Sequence, residues 1–293
     1  MTVGRTHHGL WTIIAIVLSF LVGAAIAVAG GFLLHDRTGG DKTHLPTDDR
    51  LPLLLIMLGA GIACGGVIVA LVLYSGARIR IGEVTHRHQA MLIGVGWGLI
   101  AVVLALLLEQ ATTRLPGAWG SGWLNNVLAG PIEEGAKLLL PIILLIFIAR
   151  FRDPKRGFWM VLGSAATFGI VEGIGYVLTD AIGYLTPGSS TLDHVAVTGV
   201  GTLNRAAVEI GHPLYAGAAA AIIWIAAATL PRGKAIGIGV LAYLGAAALH
   251  GFNDGVLGEL PGALLKVAAA AVFLILVYAL WLRPQYARLN ATD

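Results

Sequence analysis

Eight apolar segments dominate this chain: Leu10 to Leu34, Leu51 to Tyr74, Ala90 to Leu108, Leu124 to Ala149, Gly157 to Leu178, Ala206 to Leu230, Ala235 to Leu257 and Leu260 to Leu282. Each holds 19 to 26 residues, and at about 1.5 Å of rise per residue such a helix crosses a hydrocarbon core of about 30 Å. Backbone groups in lipid must satisfy one another within the chain, so helices are the expected form. The pattern predicts an all-α fold, a polytopic membrane helix bundle of about eight transmembrane helices. Such a chain is a multi-pass protein of the cell membrane, with the lipid bilayer as its surroundings.

Composition narrows the reading further. Of 293 residues, 57% are apolar and only 12% are charged, about half the charged share of soluble domains. This excludes a soluble enzyme, a disordered chain and a nucleic-acid binder with a basic face. The single cysteine, Cys64, excludes an intrachain disulfide framework or a cysteine-based zinc site. Glycines without a fixed period suit closely packed membrane helices. The longest loops, near His35 to Arg50 and Thr179 to His194, are too short for a separate soluble domain, so residues 1–293 read as a single membrane domain. The first segment stays apolar beyond Ala27-Val28-Ala29, which favours an uncleaved span over a signal peptide.

Positive charge sets the expected orientation. With the N-terminus in the cytoplasm, the cytoplasmic segments hold twelve basic residues, among them Arg78, Arg80, Arg150, Arg152, Lys155, Arg156, Arg232 and Lys234. The external segments hold four: Arg37, Lys42, Arg50 and Arg114. The positive-inside rule then places both termini in the cytoplasm.

Ten polar side chains remain within the spans or at their edges: Glu133, Glu134, Lys137, Glu172, Arg205, Glu209, His212, His250, Asp254 and Lys266. A charge at mid-membrane costs at least about 2.5–3.5 kcal/mol on insertion scales, so these groups demand a reason. Pairing that merely fixes helix packing is the plain explanation, and Lys266, close to a span end, fits it by snorkelling. For the others, depth argues for function. Glu133 lies nine residues after Leu124, Glu172 six before Leu178, His212 six after Ala206 and His250 seven before Leu257. With alternating helix direction this puts them about 9–14 Å deep in one outer-leaflet layer. A later helix start at Gly130-Pro131 would instead put the glutamates in a first turn, where the helix dipole favours anions.

Spacing within each segment points the same way. Lys137 follows Glu133 by four residues and Glu134 by three, so one ammonium can meet a carboxylate on its own face. Phe168, Glu172 and Tyr176 form one stripe at helical spacing. Arg205, Glu209 and His212 are expected to share a face, with Pro213 depriving the Glu209 carbonyl of its helical donor. His250 and Asp254 form an H-x-x-x-D pair able to reach one atom.

The four patterns in order, Glu133-Glu134-Gly135-Ala136-Lys137, Phe168 through Glu172 to Tyr176, Arg205 with His212, and His250 to Asp254, resemble the PrsW family of intramembrane proteases. That family stands in a wider group with the CAAX prenyl endopeptidases and bacteriocin-immunity-type membrane proteases. The resemblance covers about 124–257. Glu172, where several of the wider group carry histidine, favours PrsW. The resemblance implies an intramembrane endopeptidase that hydrolyses peptide bonds of a membrane protein or peptide substrate, such as an anti-sigma-factor-like protein, in regulated intramembrane proteolysis. It implies catalytic roles for Glu133, Glu134, Lys137, Glu172, His212, His250 and Asp254. The family is classed as metal-dependent, and a water-activating glutamate without metal is the form argued for its relatives.

Amide hydrolysis needs an activated water, a stabiliser for the tetrahedral oxyanion and an acid for the leaving amine. Glu133 or Glu134 is the best base, and Lys137 would hold the other glutamate as an ion. Glu172, His212, His250 and Asp254 offer two nitrogens and two carboxylates, ligand types that suit one divalent metal and zinc best. A metal-free alternative has Glu133 and Glu172 orienting the water while His250 with Asp254 polarises the carbonyl. No serine, threonine or cysteine accompanies the cluster in a nucleophile motif. The competing class is an ion- or proton-coupled membrane transporter or channel, since membrane acids and histidines also build proton relays. Transporters often carry inverted repeats, and this sequence has none.

Overall fold

The computed structural model describes residues 5–45, 48–79, 87–114, 122–256 and 283–291, and no strand occurs among them. The helices are α1 (Arg5–Thr38), α2 (Leu51–Ile79), α3 (Arg87–Thr112), α4 (Gly122–Phe147), α5 (Pro154–Gly183), α6 (Thr191–Val208), α7 (Gly211–Thr229), α8 (Arg232–Val256) and a short α9 (Arg283–Ala291). Among the described residues, six stretches are long and apolar enough to cross a membrane: Leu10–Thr38, Leu51–Val72, His88–Thr112, Pro154–Gly183, Thr191–Thr229 and Arg232–Phe252. Helix α4 is long enough as well, and carries Glu133, Glu134 and Lys137. The segment expected at Leu260 to Leu282, with Lys266, lies outside the described residues.

Three expectations are corrected. Helix α4 does not begin at Gly130-Pro131: it runs unbroken from Gly122 with Pro131 and Pro141 inside it, so Glu133 stands three turns in, about 16 Å from the helix start. The sixth span is not one helix from Ala206, because α6 ends at Val208 and α7 starts at Gly211. Glu209 is therefore the C-cap of α6, whereas His212 belongs to α7. Pro213 sits in the first turn of α7, where no N–H is needed. The third correction concerns Thr179 to His194, expected as a loop. Helix α5 continues through Gly183 and α6 begins at Thr191, capped by the Ser190 hydroxyl, which accepts from the Asp193 N–H at 3.1 Å.

The chain forms two compact units, one of Met1–Ser75 with Gly169–Ile210 and the other of Gly76–Phe168 with Gly211–Asp293. In the first, α1 meets α2 through small residues: a Cβ on Gly23 would stand 2.6 Å from the backbone of Gly59 and Ala63. That closeness lets two backbones pack without large side chains between them. Leu34, Ile56, Ala60, Val177, Ala181 and Leu185 close one apolar cluster. Helix α6 turns a polar, small-residue face inward, burying His194, Thr198, Gly199, Thr202 and Ala206 while Leu192, Val200 and Leu203 face out. His194 is fully buried, with its ring nitrogens 3.0 Å from Gly31 O and 2.6 Å from Ala181 O. Between α1 and α2, Asp41 caps a 3-10 turn, and the Thr43 backbone N–H it accepts holds its carboxyl below the usual range.

The second unit is built around α4. Helix α8 approaches it so closely that a Cβ on Gly130 would lie 2.5 Å from Gly251 N. Pro141 has no N–H for the Lys137 carbonyl, one turn back. The Ser164 hydroxyl of α5 supplies the missing donor at 3.1 Å. Trp97 Nε1 of α3 donates to Ala136 O at 2.8 Å, and Tyr243 OH of α8 donates to Pro131 O at 2.8 Å. Three neighbouring helices thus grip the backbone of the segment that bears the glutamates. Trp224, wholly buried in α7, donates to Phe151 O at 2.8 Å and ties down the connection between α4 and α5.

Candidate active site

Three helices of the second unit converge on one buried cluster. Helix α4 supplies Glu133, Glu134 and Lys137, α7 supplies His212 from its first turn, and α8 supplies His250 from its last turns. All five side chains are buried, Glu134 and Lys137 completely.

Lys137 is the hub. Its Nζ lies 3.2 Å from Glu133 Oε2, 2.9 Å from Glu134 Oε1 and 2.6 Å from His212 Nδ1, which accounts for all three ammonium protons. The Phe168 ring covers the same nitrogen, with its centroid 4.1 Å away, in a cation–π contact. Burying a lone ammonium or carboxylate is prohibitive, and this mutual neutralisation is what permits the charges here.

His250 is held between the two glutamates. Its Nδ1 stands 2.9 Å from Glu134 Oε1, and its Nε2 stands 3.5 Å from Glu133 Oε2. Against an ionised Glu134, Nδ1 carries the proton and donates, which leaves the Nε2 lone pair directed toward Glu133. The Tyr215 ring stacks on His250 at 5.7 Å, and His212 meets it edge-on at 4.9 Å. Phe168 packs on His212 at 5.3 Å. These rings fix both imidazoles and keep the pocket apolar around its polar centre.

The donor atoms suit a divalent metal. One atom each from Glu133, His212 and His250 lie within 4.8 Å of one another. Two imidazoles and one carboxylate are a common ligand set for catalytic zinc. The carboxylate on the far ring nitrogen of His250 is the usual way of orienting such a ligand.

The expected site residues fall as follows. Glu133, Glu134, Lys137, His212 and His250 come together in the second unit. Glu172 lies in the first unit, partly buried on α5. There the Arg205 guanidinium lies over the Tyr176 ring at 3.5 Å and pairs with the buried Glu209 Oε1 at 3.4 Å. Asp254 continues α8 one turn after His250, and its side chain lies outside the described residues. Sequence reasoning did not single out Tyr215, Ser164, Trp97 or Tyr243. Only Ser164 answers a signal in the sequence, the carbonyl that Pro141 leaves without a donor.

With the geometry in place, comparison with known proteins adds one match. A family model described as PrsW family intramembrane metalloprotease matches residues 86–281, which include every site residue above. No curated protein and no solved structure matches the chain.

Proposed function

The chain belongs to the PrsW family of intramembrane metalloproteases and is a multi-pass membrane protease, and we propose that the cluster on α4, α7 and α8 is its active site. The observation that carries this reading is the buried group of Glu133, His212 and His250, whose donor atoms lie within 4.8 Å of one another. These three would hold the metal. Bound there, a metal such as zinc supplies a Lewis acid and lowers the pKa of a water molecule.

The residues of the chain divide the remaining work. Glu134 Oε1 is anchored by Lys137 and His250, whereas Oε2 is buried and has no hydrogen-bond partner among the described residues. Oε2 is the oxygen placed to accept a proton from the attacking water and to return it to the leaving amine. Glu134 Oε1 meanwhile fixes the tautomer of His250. Lys137 pairs with both carboxylates and offsets their charge, and Phe168 and Tyr215 exclude bulk water.

We read the site as lying toward the outer leaflet, which follows if both termini are cytoplasmic, as the distribution of basic residues favours. His212 lies in the first turn of α7 and His250 in the last turns of α8, away from the basic Arg232–Lys234 segment where α7 ends and α8 begins. The substrate is a membrane protein, and an anti-sigma-factor-like protein cut during regulated intramembrane proteolysis fits the family. The test is cleavage of a membrane-protein reporter by purified protein in lipid vesicles. Cleavage abolished by Glu134→Ala supports the reading. Ion flux without cleavage would replace it with transport.

A further inference from the structure

Lys137 and an incoming metal compete for the same donors. Nζ lies 3.2 Å from Glu133 Oε2 and 2.6 Å from His212 Nδ1, and those two atoms are 3.7 Å apart. With Glu133 Oε2 and His212 Nδ1 as the ligand atoms of their residues, two of the three donors already share a cation, and that cation is the ammonium. The Nδ1 lone pair of His212 can accept from Lys137 or bind a metal, not both at once. Two positive charges sharing donors this close would repel each other in a buried site.

We infer that Lys137 is a built-in placeholder cation: it holds Glu133 and His212 in position for a ligand set, and a divalent metal enters only by displacing Nζ from both. This rests on the proposal that Glu133, His212 and His250 are the ligands. The four-carbon stem of lysine allows the movement, and Glu134 Oε1, 2.9 Å from Nζ, remains as its counter-ion. Lys137 is then a positioning residue that raises the affinity a metal needs to load. It also keeps the buried acids neutralised before loading.

The experiment titrates zinc ion into the full-length protein in detergent, for wild type and Lys137→Met, against a competing chromophoric chelator. The expected result is zinc binding at least about tenfold tighter in Lys137→Met, lost again in Lys137→Met with His212→Ala. Equal or weaker binding in Lys137→Met overturns the placeholder while leaving the ligand set standing. Zinc bound by neither protein removes the ligand set and the inference together. Lys137→Met leaves two buried carboxylates without their cation and can fail to fold, so a second measurement uses the wild type. In a zinc-loaded structure, with the ion located by anomalous scattering, Nζ should lie beyond hydrogen-bond distance of Glu133 Oε2 and His212 Nδ1. Zinc seated among Glu133, His212 and His250 with Nζ still in place overturns the inference.

Discussion

His250 donates from Nδ1 to Glu134 Oε1 at 2.9 Å and turns Nε2 toward Glu133 Oε2 at 3.5 Å. Two adjacent glutamates on one helix thus face the two nitrogens of one ring, and this separates their roles. In the proposed mechanism Glu134 orients His250 and accepts a proton, and Glu133 stands among the cation ligands.

The division is measurable. Glu134→Gln should lower the rate of reporter cleavage by about 10²–10⁴-fold, the range for loss of a general base. It should weaken zinc binding far less, by about tenfold, as loss of a partner to a ligand does. Glu133→Gln should do the reverse in binding, with zinc affinity falling by more than in Glu134→Gln. Zinc titration alongside the cleavage assay checks both. Equal effects of the two variants on zinc would show that the split is wrong.

A second prediction concerns the scaffold under the site. Ser164 Oγ donates to the Lys137 carbonyl that Pro141 leaves without a helical donor. Ser164→Ala should destabilise the folded protein by about 1–3 kcal/mol, the cost of a buried carbonyl left unsatisfied. Pro141→Ala restores an N–H one turn ahead, so Ser164→Ala should cost less than about 1 kcal/mol in that background. Denaturation in mixed micelles of the two single variants and the double variant completes the cycle. Additive costs would break the link between the proline and the serine.

The contrast between α4 and α6 shows what the sequence made legible. The E-E-x-x-K spacing and the histidines are local signals, and the structure joins Glu133, Glu134, Lys137, His212 and His250 as that chemistry requires. Helix α6 was invisible to an apolar window, because its inward face is His194, Thr198 and Thr202 and its charges cluster near its ends. Those side chains are satisfied by backbone carbonyls: Thr198 Oγ1 donates to His194 O and Thr202 Oγ1 to Thr198 O, each at 2.8 Å. Bonds of that kind leave no trace in hydropathy. The break at Glu209–Ile210 was hidden for a related reason. Pro213 suits a helix interior kink and a first turn alike, and only tertiary packing chooses between them.

Orientation is open to a direct test. Asp153 lies just before α5 and Asp193 in the first turn of α6, at opposite ends of the 30-residue α5. Reporter fusions at Asp153 should be cytoplasmic and those at Asp193 external, as the basic residues Arg150, Arg152, Lys155 and Arg156 demand. Both fusions on one side would defeat the topology and the outer-leaflet position with it.

Metal content is the most informative measurement. Glu133, His212 and His250 would provide three donors to a metal, which would leave a fourth position for water in a tetrahedral site. Freshly purified protein should carry about one divalent metal per chain, as expected for one such site. His212→Ala, His250→Ala and Glu133→Gln should each lose metal and activity together. Chelation should abolish cleavage, and added zinc should restore it. A magnesium refill should fail, because two imidazoles favour zinc over a hard cation that prefers oxygen ligands. Full cleavage by metal-free protein would give the opposite answer. The ammonium of Lys137 would then be the site's permanent cation, and Glu134 Oε2 would activate the water without metal.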